Sequence, residues 1–184
     1  MGKFQSKIPL EKILLSQEIL YKVPLGIDNS VILNEIDSLK KEDPEGVRYS
    51  NSLLGWQSNP TKTTNNKYFS SMSKEIGNVV SDIFNKSFIT TRTHINISPK
   101  YSYNSYHGHP DSDLVGVLYV QTPKDCGNLR IFDPLEHHVN INISPQSLYL
   151  YIFSSYLFHE VGTNANDQER ISIAFNFNKN QIDE

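Results

Sequence analysis

The 184-residue chain carries 17 Lys and Arg against 20 Asp and Glu, for a net charge of -3, with 38% hydrophobic and 20% charged residues. A chain of this length buries enough apolar surface to fold without staples, and its composition excludes the disordered and fibrous classes. It has no basic block, since Lys40-Lys41 runs straight into Glu42-Asp43, which argues against nucleic acid as the main partner.

A single cysteine, Cys126, rules out an intramolecular disulfide and fits a reducing compartment. Its setting, Lys124-Asp125-Cys126-Gly127-Asn128, reads as a turn with a surface or half-buried thiol. No apolar run approaches the roughly 20 residues that span a bilayer, and there is no signal-peptide core. A cytoplasmic protein without membrane contact is expected. Gly2 and Ser6 match a myristoylation pattern too short to carry weight.

In chain order, residues 8 to 25 alternate apolar patches with prolines and predict extended edge segments on the outside of the fold. Asp28-Asn29-Ser30 offers N-caps to a helix whose Ile32, Ile36 and Leu39 share one face. That helix must stop before Asp43-Pro44. Residues 44 to 70 are polar and rich in breakers; within them Trp56, the only tryptophan, is expected to anchor packing. A second amphipathic helix is predicted from about Ser71 to Asn85, with Met72, Ile76, Val80 and Ile83 on one face.

From Phe88 onward the hydrophobic period changes to two. Strands are predicted over Thr91 to Ile97, Leu114 to Val120, Leu129 to Phe132, Val139 to Ile143, Leu148 to Phe153, Phe158 to Val161 and Ile171 to Phe177. The run from Leu114 is apolar enough to be covered on both faces. Short strands at this cadence with no helix between them imply an antiparallel barrel or sandwich. The expectation is a mainly β single domain over residues 1 to 184. Its helical and extended part covers about 1 to 87, with two helices backing one sheet, and its barrel core covers about 88 to 178.

Chemistry concentrates in Asn104-Ser105-Tyr106-His107-Gly108-His109-Pro110-Asp111, with a distant His159 and then Arg170. Residues two apart on a strand point the same way, so His107, His109 and Asp111 can share a cavity. Two of these with His159 would give three donors on one face of a metal and leave the other face open, the logic of the two-His-one-carboxylate site for non-haem Fe(II). His107 and His109 with His159 would instead form a three-His site that suits Zn(II) equally well. Alternation leaves both open. Arg170 can grip the far carboxylate of a dicarboxylic acid with its planar fork, and Ser172 points the same way. The consecutive His137 and His138 read as surface residues, and His94 as a barrel-wall residue with its hydrogen bonds satisfied.

These residues resemble the Fe(II)/2-oxoglutarate-dependent dioxygenase superfamily. More narrowly they resemble a group of 2-oxoglutarate-Fe(II) oxygenases from marine bacteria and their phages. The group's ordered segments match Ile95-Asn96-Ile97, Asn104 to Pro110, Val115 to Val120, Gly127 to Pro134, Leu157 to Val161 and Arg170 to Asn176, with Gly55-Trp56-Gln57-Ser58 upstream. The similarity spans about residues 50 to 177.

The resemblance implies a double-stranded β-helix, a jelly-roll or cupin-like barrel. It implies Fe(II) on His109 and His159 with His107, Asp111 competing for that third place. It also implies 2-oxoglutarate anchored by Arg170, with Ser172, Tyr119 and Asn104 beside it, and O2 as the oxidant. Val115 and Leu118 depart from the group's Ser and Tyr, which would alter co-substrate contacts if those side chains make them. The implied activity is hydroxylation of a small molecule, a protein side chain or a nucleobase, by a protein that could dimerise. Its rival is a non-redox cupin-like barrel that binds a metal or small acid, or serves as a structural module. Specificity is expected in residues 44 to 70 and 99 to 106 over the mouth.

Overall fold

A computed structural model describes residues 10–15, 18–136 and 140–180. Among these residues three helices and eleven strands follow one another, and the strands form two antiparallel sheets. The larger sheet comprises β1 (Glu11–Leu15), β2 (Glu18–Pro24), β3 (Trp56–Gln57), β4 (Phe88–Ser98), β6 (Leu114–Gln121), β9 (Tyr149–Ser154) and β11 (Arg170–Lys179), in the order β1-β2-β9-β6-β11-β4-β3. The smaller comprises β5 (Asn104–His107), β7 (Leu129–Phe132), β8 (Asn140–Ile143) and β10 (His159–Val161), in the order β5-β10-β7-β8. Two facing antiparallel sheets of this kind are the jelly-roll, double-stranded β-helix architecture.

The helices cover the outer face of the larger sheet. In α1 (Asn29–Glu42), Asp28 caps the first turn and Ile32, Ile36 and Leu39 are buried. In α3 (Lys67–Phe84), Phe69, Met72, Ile76, Gly77 and Val80 are buried. Both apolar stripes match the sequence reading, but α3 begins four residues earlier because Asn66 accepts from the amides of Tyr68 and Phe69 and caps it there. A short α2 (Pro60–Asn65) precedes it, with Asn59 as N-cap and Pro60 in the first turn. Each large aliphatic side chain buried along these stripes is worth about 1.5–3 kcal/mol, enough to hold the helical layer in place.

The strand alternation divides the interior into two layers. Ile171, Ile173, Phe175 and Phe177 of β11, Ile95 and Ile97 of β4, and Leu118 and Val120 of β6 pack with the helices. Val115, Val117, Tyr119, Leu129, Ile131, Tyr151 and Phe153 form a second cluster between the sheets. Side chains of the neighbouring strands close in at Gly116, where a Cβ would meet the Phe177 ring at 2.8 Å.

The N-terminal extended segments form a hairpin that joins the larger sheet itself, through β2 pairing with β9, rather than lying outside it. Trp56 is buried, with its indole N–H on the Asp43 carbonyl at 2.8 Å. Cys126 is also buried, contrary to expectation. His137 and His138 lie outside the described residues. No described helix is long and apolar enough to cross a membrane.

Candidate active site

The antiparallel pairing of β4 with β11 orders the polar side of the barrel. Arg170 sits opposite Ser98, Ser172 opposite Asn96, Ala174 opposite His94 and Asn176 opposite Arg92. Because Ile171, Ile173 and Phe175 face the helices, these alternate residues face inward.

Three imidazoles converge above this wall. His107 ends β5 and is paired directly with His159 of β10. His109 enters from the loop beyond, with its amide on the Ser155 carbonyl at 3.2 Å. The ring centroids of His107 and His159 lie 4.3 Å apart, those of His107 and His109 5.1 Å, and those of His109 and His159 5.2 Å. One nitrogen from each falls within 4.8 Å of the others. Nδ1 of His107 donates to the Ser105 carbonyl at 2.7 Å, and Nδ1 of His159 to the Leu157 carbonyl at 3.3 Å. A carbonyl only accepts, so both rings carry Nδ1–H and present a bare Nε2.

Burial lowers the pKa of all three. That of His109 falls to about 4, helped by His107 and Arg92 and opposed by the Asn176 amide. That of His159 falls well below its ordinary value through burial, then His107 and His109. That of His107 falls through burial, opposed by its bond to Ser105. Neutral imidazoles are the metal-ligating form.

Asp111 does not join them. Alternation was extended past the strand: β5 ends at His107, and a turn follows in which the Ser112 amide returns to the His109 carbonyl at 3.2 Å. That turn carries Asp111 outward, where it is exposed. Among the described residues the group able to hold a metal is His107, His109 and His159, without a carboxylate.

Arg170 lies on β11 of the larger sheet and His159 on β10 of the smaller, so the two strands are not neighbours. The guanidinium is 1% exposed. It donates to the carbonyls of Cys126 and Gly162 and, at 3.2 Å, to Oδ1 of Asn104. No carboxylate pairs with it among the described residues, and burial lowers its pKa. Three of its five donors are thus taken by neutral acceptors, leaving Nε–H and one Nη2 hydrogen for an anion.

Beside it the Tyr119 hydroxyl is buried without a partner, and burial raises its pKa despite the Arg170 charge. Ser172 pairs directly with Tyr119 across the sheet. Asn104 also reaches Ser50 Oγ at 3.3 Å and Asn96 Oδ1 at 3.5 Å. Of the two departures from the oxygenase pattern, Leu118 faces the helices and Val115 joins the apolar cluster between the sheets.

Sequence reasoning missed two wall residues and the unsatisfied state of a third. His94 is on the barrel wall as expected, but its Nδ1 has no partner, and burial, with His109, Arg92 and His107, pushes its pKa down to about 3. Gln57 Nε2 and Asn176 Oδ1 are likewise buried and unpartnered. Asn176 shares its parity with Arg170 six residues earlier, a signal already present in the alternation.

The family model described as "Putative 2OG-Fe(II) oxygenase" matches residues 92–176, the segment that holds the three imidazoles, Tyr119, Arg170 and Asn176. This segment, just under half of the chain, is that of a 2-oxoglutarate-Fe(II) oxygenase. No curated protein matches the oxygenase by sequence. Its fold is similar to that of a Pseudomonas putida prolyl-4-hydroxylase (TM-score 0.59, 18% identity, 90% of this chain and 95% of that one). It is similar as well to HygX from Streptomyces hygroscopicus, solved with nickel, 2-oxoglutarate and hygromycin B (TM-score 0.67, 11% identity, 86% and 82%). A third likeness is to the epimerase SnoN in complex with Fe3+, alpha ketoglutarate and nogalamycin RO (TM-score 0.72, 11% identity, 86% and 78%).

Proposed function

We propose that the oxygenase is a hydroxylase that holds Fe(II) on His107, His109 and His159 and binds 2-oxoglutarate with its distal carboxylate on Arg170. The observation that carries this reading is Arg170 itself: a buried cation with no carboxylate beside it and two donors to spare. Burying a charge without a counter-ion costs several kcal/mol, and a ligand carboxylate removes that cost. The unpartnered Tyr119 hydroxyl supports the same assignment, since it can donate to the second oxygen of that carboxylate. Asn104 steadies the guanidinium from β5, and Ser172 lines the wall between anchor and metal.

The donor set fits the metal. Three neutral imidazoles leave the dication's charge untouched, so the co-substrate carboxylate at the metal would offset part of it while the distal carboxylate pairs with Arg170. Iron held there would supply O2 activation, coupling conversion of 2-oxoglutarate to succinate and CO2 with insertion of the second oxygen atom into a substrate C–H bond. The protein contributes ligation, orientation and a water-poor cavity.

An anaerobic titration with Fe(II) and then 2-oxoglutarate tests the assignment. A visible charge-transfer band that needs both, fades with O2 and leaves succinate is the expected result. The absence of a carboxylate donor favours one second reading, a non-redox metal-binding barrel; metal uptake without the band would select it.

A further inference from the structure

A cavity of about 290 Å³ opens beside His109, lined by Arg92, Asp111, Asn176 and Asn178 among others. Its position follows from the strand order. Arg170 bonds to Asn104 at the start of β5, His107 ends that strand, His109 follows, and the cavity begins at His109. On β11 the cavity's Asn176 is six residues from Arg170, roughly 20 Å at about 3.3 Å per residue. The cavity therefore adjoins the imidazoles at the end remote from the co-substrate anchor, where a molecule to be oxidised must sit.

Its polar groups are opposite in sign and free to bind. Arg92 and Asp111 form no ion pair among the described residues. The Arg92 guanidinium lies 5.7 Å from the centre of the Tyr49 ring, which gives its fork a fixed backing. The turn bearing Asp111 is held by Asn178, whose Nδ2 donates to the Asp111 carbonyl at 3.3 Å. Asn176 is 6% exposed, its Nδ2 is committed to Ser112 Oγ at 2.9 Å and its amide faces His109, so Arg92 and Asp111 are the groups left to meet a ligand.

We infer that this cavity binds a free α-amino acid as the substrate to be oxidised, its carboxylate on Arg92 and its ammonium on Asp111. This rests on the reading of the three imidazoles as the metal centre. The size agrees: pockets for drug-sized ligands run from about 300 to 1,000 Å³, so a cavity at the lower limit suits a compact zwitterion. A nucleotide would be too large, and its phosphate would meet Asp111.

The test is calorimetric titration of each proteinogenic amino acid, with its N-acetyl and C-amide derivatives, into metal-free protein and into anaerobic protein carrying Mn(II) and 2-oxoglutarate. At least one free amino acid is expected to bind at least tenfold more tightly than either derivative. Arg92→Gln should abolish the preference over the C-amide, and Asp111→Asn the preference over the N-acetyl form, both with 2-oxoglutarate affinity unchanged. Binding of no amino acid by either form of the protein overturns the inference, as does equal binding of the blocked derivatives, which would indicate a residue within a polypeptide. Failure of Mn(II) or 2-oxoglutarate to bind refutes the metal-centre reading separately, because the metal-free titration still reports on the cavity.

Discussion

Replacing Arg170 with Met removes the cation while keeping a long apolar stem in the wall. At 1% exposure, water does not screen the interaction between this guanidinium and a ligand carboxylate. Breaking a buried ion pair from one side costs about 3–5 kcal/mol, and each 1.4 kcal/mol is about tenfold in Kd. Affinity for 2-oxoglutarate should therefore fall about 100- to 3,000-fold. Metal affinity should stay near wild type, because Arg170 makes no bond to any of the three histidines. The variant also frees the carbonyls of Cys126 and Gly162 and Oδ1 of Asn104. Each acceptor left unsatisfied costs about 1–3 kcal/mol, offset by the loss of a desolvated charge, so a net destabilisation of a few kcal/mol is expected. Arg170→Lys, which keeps the charge but not the fork, should fall between the two proteins. Calorimetry of 2-oxoglutarate into Mn(II)-loaded protein, with circular dichroism to check folding, reads the effect. A folded Arg170→Met protein that binds 2-oxoglutarate within about threefold of wild type would refute the anchor.

Three further outcomes follow from the geometry. His159→Ala should abolish stoichiometric Fe(II) uptake, whereas Asp111→Asn should leave it intact; uptake lost in the second variant would restore the carboxylate ligand. Gly127 adopts φ +89°, and a Cβ there would strike the Gly162 carbonyl and approach Arg170 Nη1 to 2.8 Å, so Gly127→Ala should lower both thermal stability and 2-oxoglutarate affinity, read by a melt and the same calorimetry. Acid should destabilise the metal-free protein: with His94 pushed down to about 3 and His109 to about 4, the unfolded chain takes up protons from about pH 6.5 that the folded chain refuses. Stability then falls with pH through that window by up to about 1.4 kcal/mol per unit for each refused proton, and a urea midpoint no lower at about pH 4.5 than at about pH 7 would contradict the burial of these rings.

Much of this was legible in the residues because alternation is a local property. The two-residue period of Arg170 to Phe177 separates the helix-facing Ile171, Ile173 and Phe175 from the inward Arg170, Ser172 and Asn176. The four-then-three spacing of Ile32, Ile36 and Leu39 likewise gave the buried face of α1. The same rule failed at Asp111, where Pro110 begins a turn and the period no longer applies. It also could not say which sheet a strand joins: His159 and Arg170 are eleven residues apart in sequence yet belong to different sheets, because strand partnership is decided by long-range pairing. The start of α3 was legible in Asn66 and that of α2 in Asn59-Pro60, but both were hidden among other breakers. The unpartnered Tyr119 hydroxyl and His94 Nδ1 have no sequence signature, since hydrogen-bond satisfaction depends on everything packed nearby.

The division of the site between two sheets has a mechanical consequence. His107 and His159 ride on the smaller sheet and Arg170 and Tyr119 on the larger, and in the protein alone the polar end of the barrel is clasped chiefly by Arg170 reaching Asn104 and the loop carbonyls at Cys126 and Gly162. On the proposed assignment, a co-substrate held by metal at one end and by Arg170 at the other would be a strut between the two leaves. Opening of the sandwich at that end, seen as amide exchange in β5 and β10, should slow when the strut is in place and resume when succinate leaves, so that each turnover loosens the route by which product departs.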